Sequence, residues 1–154
     1  RVALERLEEP TQDAAGVEPA LAGEPHGLDR GVVVEVAAGL RAKPVDEFKR
    51  QVDAVVREVL EETAYHFRPT HLIGVYNWCR PDGEVTYLRF AFAGELRGWE
   101  AERKLDDGIV AARWLTLDEV KATQARHRSP LILRCIEDMI AGKRYPLDLL
   151  VHYD

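Results

Sequence analysis

Two β-rich runs around a short turn constrain this chain more than any other feature in it. HLIGVYNWC (His71 to Cys79) and VTYLRFAFAGEL (Val85 to Leu96) are dense in β-branched and aromatic residues, and Pro81-Asp82-Gly83 lies between them. Proline presets one turn dihedral and glycine accepts a positive one, so the runs are expected to pair as an antiparallel hairpin. Ahead of the hairpin, Val52, Val55, Val56, Val59 and Leu60 recur at helical spacing and predict a helix with one apolar face. Pro69 is read as the residue that keeps this helix from resuming.

Downstream, residues 97–108 read as a charged loop and IVAARWLT (Ile109 to Thr116) as a strand, with a short helix from Leu117. Ser129-Pro130 is a helix start, serine as cap and proline in the first turn, and Gly142 is placed to end that helix. Upstream, GVVVEVA (Gly31 to Ala37) is the one strong strand candidate, and VALERLEE is compatible with a short helix. Strands and helices mixed in this way over 154 residues predict one α/β domain spanning 1–154, a sandwich of helices on a mixed sheet.

Composition narrows the classes of ligand. Apolar residues make up 46% and charged residues 31%, enough for a packed core. A formal net charge of -6 supplies no drive to bind a nucleic-acid polymer. It suits an anionic small molecule that arrives with a divalent cation. No apolar run approaches the ~20 residues that span a bilayer, and the acidic opening residues have no secretory signal core. Cys79 and Cys135 are far apart and read as reduced core thiols. The expectation is a cytoplasmic monomer or homodimer.

The valine helix carries REVLEET (Arg57 to Thr63). At ~100° per residue, Glu58, Glu61 and Glu62 share a quarter to a third of the circumference, away from most of the valines. Crowded carboxylates repel unless water and salt screen them or a cation sits among them. Hard divalent cations take oxygen ligands, so the cluster is either a Mg²⁺ site or a solvated acidic face with an Arg57–Glu61 i,i+4 pair.

REVLEET resembles the second half of the Nudix box, G-x5-E-x7-R-E-U-x-E-E-x-G-U with U aliphatic, through Arg57, Glu58, Val59, Glu61 and Glu62. ARWLTLDEV (Ala112 to Val120) follows in the family's order. NWCRPDGEVTYLRFAFAGEL and RSPLILRCIEDMIAGKRYPLDLL are similar to the NudJ-type phosphatases within that family. The resemblance covers the chain from about Val52 onward, and residues 1–51 match poorly. It implies a Nudix-like α/β/α sandwich with a mixed central sheet and a catalytic loop-helix-loop. It also implies hydrolysis of a nucleoside di- or triphosphate, or another organic diphosphate, with Mg²⁺ or Mn²⁺.

By that resemblance Glu61 and Glu62 are metal ligands. Glu58 is a metal ligand or the general base, and Arg57 orients the glutamates. An acid from the loop before the Ile109 strand completes the site in some relatives, which nominates Asp106 or Asp107, with Glu100 and Glu102 behind them. Trp78, with Tyr76 near it, is positioned to stack on a substrate ring or to fill the core. Arg126, His127 and Arg128 precede the last helix as a phosphate cradle or a solvated loop. His66, His71 and His152 show no metal-ligand spacing with cysteine.

Three positions depart from the box. Lys49 and Lys43 stand where its first glutamate and its glycine belong, and Ala64 stands where the later glycine belongs. The lysines favour an alternative: a Nudix-fold module that binds a nucleotide or diphosphate without cleaving it.

Overall fold

The computed structural model describes residues 3–8, 32–39, 51–107, 109–127 and 129–151; for 3–8, 32–39, 110, 111 and 113 it describes the backbone only. Its elements in chain order are β1 (Ala3–Glu8), β2 (Val32–Gly39), α1 (Gln51–Thr63), β3 (Tyr65–Cys79), β4 (Thr86–Trp99), β5 (Ile109–Leu115), α2 (Leu117–Ala122) and α3 (Leu131–Ile140). The five strands form one sheet in the order β3-β4-β2-β1-β5. β1 and β2 are parallel and the remaining pairs antiparallel, so the sheet is mixed as expected.

Alternation along β4 decides which helix packs where. Phe90 and Phe92 point to one face and meet Val55 and Val59 of α1, together with Tyr65, Phe67 and Leu72. Ala91 and Ala93 point to the other and meet Cys135 of α3, with Ile73 beside them. Large residues on one face and small ones on the other let α3 lie close while α1 sits on an aromatic bed. Val120 and Ile136 join α2 to α3 in a smaller cluster. The result is the expected α/β/α sandwich.

Several expectations need correction. Within VALERLEE, Ala3–Glu8 is a strand: six residues nucleate a helix poorly, whereas the slot between β2 and β5 offers backbone partners on both sides. Pro69 lies inside β3, which begins at Tyr65 directly after the helix. It is tolerated because β3 is an edge strand and its register against β4 shifts between Pro69 and His71. β4 continues through Trp99, so the charged loop starts at Glu100. Cys135 is buried, but Cys79 is exposed at the end of β3. Within α1, Val56 is 37% exposed because it lies well off the arc defined by Val52, Val55 and Val59.

The last helix ends as its sequence indicates, with Gly142 at φ +80. Ser129 Oγ accepts the Leu131 amide at 3.0 Å, ahead of the first helical turn. Its buried Asp138 accepts from Tyr76 Oη at 3.0 Å and pairs with Lys143 and Arg134. Burial alone would raise the Asp138 pKa; the hydrogen bonds from Lys143 and Tyr76 and the nearby cations together hold it below its usual value. A Cβ on Gly74 would sit 2.8 Å from Tyr76 Oη, so the bare glycine is what lets that phenol lean back toward Asp138.

Candidate active site

Of the carboxylates of α1, Glu62 borders the buried stripe, Glu58 stands about a right angle from its middle and Glu61 faces away from it. Val55 and Val59 are fully buried, and Glu58, Glu61 and Glu62 are all half-buried. Glu62 projects only ~50° from the middle of the arc of Val52, Val55 and Val59, and Glu61 ~150° from it, by the helical repeat. Arg57 Nε lies 3.6 Å from a Glu61 carboxylate oxygen, across one turn.

The end of α1 is built with care. Thr63 Oγ1 donates to the Val59 carbonyl and accepts the Tyr65 amide, so the side chain substitutes for the next helical turn. Ala64 then takes φ 61, left-handed backbone that favours glycine. This is the position where the family box has glycine. The methyl group is buried, and the turn reverses the chain into β3. Below it Tyr65 stacks on Trp99 with ring centres 6.2 Å apart, meets Trp114 edge-on at 5.6 Å, and accepts the Trp114 indole N–H at 3.3 Å.

Left-handed backbone costs an L-residue roughly 1–2 kcal/mol, and glycine's extra freedom in the unfolded chain returns roughly 0.5–1 kcal/mol. Ala64→Gly is therefore expected to leave stability equal or raise it by up to about 1 kcal/mol, whereas the β-branched Ala64→Val should lower it by about 2 kcal/mol or more. Thermal unfolding of the two variants checks this; equal losses in both would contradict it.

The loop after β4 closes on this turn. The Glu100 amide donates to the Ala64 carbonyl at 2.9 Å and the Asp106 amide to the Glu61 carbonyl at 3.0 Å. Of the two loop aspartates, Asp106 is thus tied to α1 through its backbone. Asp107 is exposed at the surface, 3.2 Å from Lys104 Nζ. Glu102 is exposed nearby.

Trp78 is elsewhere. It lies roughly 40 Å of strand beyond Tyr65, at ~3.3 Å per residue. It stacks on Tyr87 across the hairpin with centres 5.7 Å apart. Tyr87 alternates with Ala91 and Ala93, so the pair is on the α3 face, with the sheet between it and α1. Tyr76 shares that face and is bound to Asp138.

Arg126 is exposed and His127 is half-buried beside Thr123. His66 pairs with Glu100, and His71 meets Thr70 and Arg144. Sequence reasoning missed Arg103, whose only local signal is its i,i+3 spacing from Glu100. It also missed the buried Arg89, which donates to Ser129 Oγ at 3.5 Å. Lys43, Lys49, Arg128 and His152 lie outside the described residues.

Three carboxylates on one helix edge are the donor chemistry that a hard divalent cation takes. In this structure Arg57 draws the Glu61 carboxylate to itself, and among the described residues no three His, Cys, Asp or Glu side chains converge on one point. Carboxylate oxygens are the donor type such an ion takes, and in this structure the three of α1 do not converge.

Comparison with known proteins agrees with the fold. A family profile described as "NUDIX domain" matches residues 44–135, and the chain belongs to the Nudix family. It is 37% identical over 100 residues to "Phosphatase NudJ" of Escherichia coli (strain K12), a stretch that is 64% of this chain and 63% of that protein. The same figures hold for "Phosphatase NudJ" of Shigella sonnei (strain Ss046). The chain therefore spans less than two thirds of the length of these relatives. A solved structure, "NUDIX hydrolase from Nitrosomonas europaea", is 52% identical with a TM-score of 0.64, covering 66% of this chain and 69% of that one. The family match takes in position 49, so Lys49 stands inside the domain.

Proposed function

We propose that this protein hydrolyses a phosphoanhydride bond in a small organic diphosphate, such as a nucleoside di- or triphosphate, with Mg²⁺ or Mn²⁺ held by Glu58, Glu61 and Glu62. The observation that carries the reading is the half-buried carboxylate edge of α1, with Arg57 3.6 Å from Glu61, on a helix inside the span that matches the family. The curated relatives named as phosphatases support it.

Bound Mg²⁺ would neutralise charge on the diphosphate and lower the pKa of a water molecule. The residues supply the rest. A carboxylate oxygen of Glu58 accepts the proton of the attacking water, whose oxygen bonds to phosphorus as the bridging P–O bond breaks. Arg57 restrains Glu61 by its ion pair. Glu61 and Glu62 keep their carboxylates at the helix edge because the turn beneath them rests on Tyr65, Trp99 and Trp114. Of the further positions the sequence nominates, Asp107 lies at the surface 3.2 Å from Lys104 Nζ, and the α3-face position of Trp78 favours a packing role.

The test is phosphate or pyrophosphate release from a panel of nucleoside di- and triphosphates, in Mg²⁺ and in EDTA. Release in Mg²⁺ that EDTA abolishes is the expected result. The second reading, a module that binds without turnover, is favoured by Lys49 at the position of the box's first glutamate. It expects nucleotide binding in EDTA and no release in either condition.

A further inference from the structure

The last carbonyls of a helix have no partner within it. In α1 the Ala64 amide serves Leu60 at 3.0 Å and the Asp106 amide serves Glu61 at 3.0 Å, while Thr63 Oγ1 adds a second donor to the Val59 carbonyl. The turn that carries Glu61 and Glu62 is therefore capped by a loop about 40 residues further along the chain, and its position depends on how that loop is held.

The loop is held at its start by the Glu100 amide on the Ala64 carbonyl and by the Glu100 carboxylate. Glu100 Oε2 accepts from Arg103 Nη1 at 2.9 Å, and Glu100 Oε1 lies 2.8 Å from His66 Nε2 on β3. The Arg103 amide also donates to the Glu100 carbonyl, at 3.1 Å. The hydrogen bond from Arg103, more than any other contact, holds the Glu100 carboxyl below its usual pKa against the opposing effect of burial, and His66 adds to it. Arg103 Nε is sealed from solvent, while the side chain as a whole is 32% exposed.

We propose that Glu100 and Arg103 are positioning residues: their ion pair closes the 100–107 loop so that the Asp106 amide caps Glu61 and sets the carboxylate edge that binds the metal. The assignment rests on the reading of α1 as the metal site. Neither residue needs to touch the metal or the substrate.

The experiment uses the metal-free protein with Mn²⁺ as the probe, at a pH where histidine is neutral. Wild type, Glu100→Gln and the charge-swapped double variant Glu100→Arg/Arg103→Glu are compared. Two quantities are read: amide hydrogen exchange at Asp106 by NMR, and Mn²⁺ affinity by electron paramagnetic resonance. Glu100→Gln should exchange the Asp106 amide about tenfold faster and bind Mn²⁺ about fivefold more weakly. The double variant should recover most of both.

Unchanged Asp106 exchange in Glu100→Gln overturns the clasp. Faster exchange with unchanged Mn²⁺ affinity leaves a structural tether and overturns the positioning role. Wild type that binds no Mn²⁺ sinks the metal-site reading itself, and the positioning role with it, while the exchange result still decides whether the clasp exists.

Discussion

Gly94→Val should unfold this protein more readily than any single change to its surface. Gly94 lies in β4 opposite Pro69, at the point where β3 shifts register. The shift brings the Arg68 peptide across the glycine: a Cβ there would come 2.2 Å from the Arg68 carbonyl oxygen and 2.7 Å from the Phe67 ring. The obstacle is backbone, which cannot rotate aside as a flexible side chain does. β4 must retreat from β3 or the bulge must be lost. Phe67 and Phe92 share the core on that face, so either movement opens it. Overpacking of this kind costs about 3 kcal/mol, and for a chain of this size that lowers Tm by roughly 6–12 °C. Gly98→Ala is the control. Its Cβ would meet only the His66 ring, at an ordinary 3.6 Å, so its Tm should hardly move. Equal melting of the two variants by circular dichroism would contradict this account of the bulge.

Glu61→Gln should have the largest effect on function and almost none on stability. The exchange keeps the shape and removes one ligand charge. If the carboxylate edge binds the metal, turnover should fall by about a hundredfold or more, equivalent to roughly 3 kcal/mol of transition-state stabilisation at ~1.4 kcal/mol per tenfold. The folded state loses only the Arg57 pair, half-exposed and 3.6 Å long. Such pairs contribute a few tenths of a kcal/mol. Tm should therefore stay within about 2 °C of wild type. A large loss of stability would mean that Glu61 is there for the fold.

The parts of the fold that sequence reasoning reached are those with local causes. The Pro81-Asp82-Gly83 turn and the β-branched runs around it are sufficient for the hairpin, and Gly83 takes φ +74 as the turn requires. The valine period placed α1; Ser129-Pro130 marked the start of α3 to within a residue, with Pro130 rather than Ser129 in the cap position, and Gly142 marked its end. What was not legible depends on partners distant in sequence. β1 is a strand because β2 and β5 flank it, which nothing in VALERLEE announces. Pro69 reads as a helix stop until β3 is known to be an edge strand with a bulge.

The candidate site divides in the same way. Glu58, Glu61 and Glu62 share a helix edge by spacing alone. Their half-burial, the cap from Asp106 and the closure by Glu100 and Arg103 come from a loop that the sequence shows only as charged. His66 drew no role from its spacing, yet it is one of the two groups on Glu100. The positive φ at Ala64 follows from the box, where glycine is expected, and it turns an apparently mild substitution into a strained one.

The central claim is that the carboxylates of α1 bind the metal on which hydrolysis depends. The most direct measurement is phosphate release from one turned-over nucleotide by wild type and Glu61→Gln across a Mg²⁺ titration. The account predicts saturable Mg²⁺ dependence in wild type, and in the variant a much lower plateau reached only at higher Mg²⁺. Identical curves for the two proteins would contradict it and place the metal elsewhere.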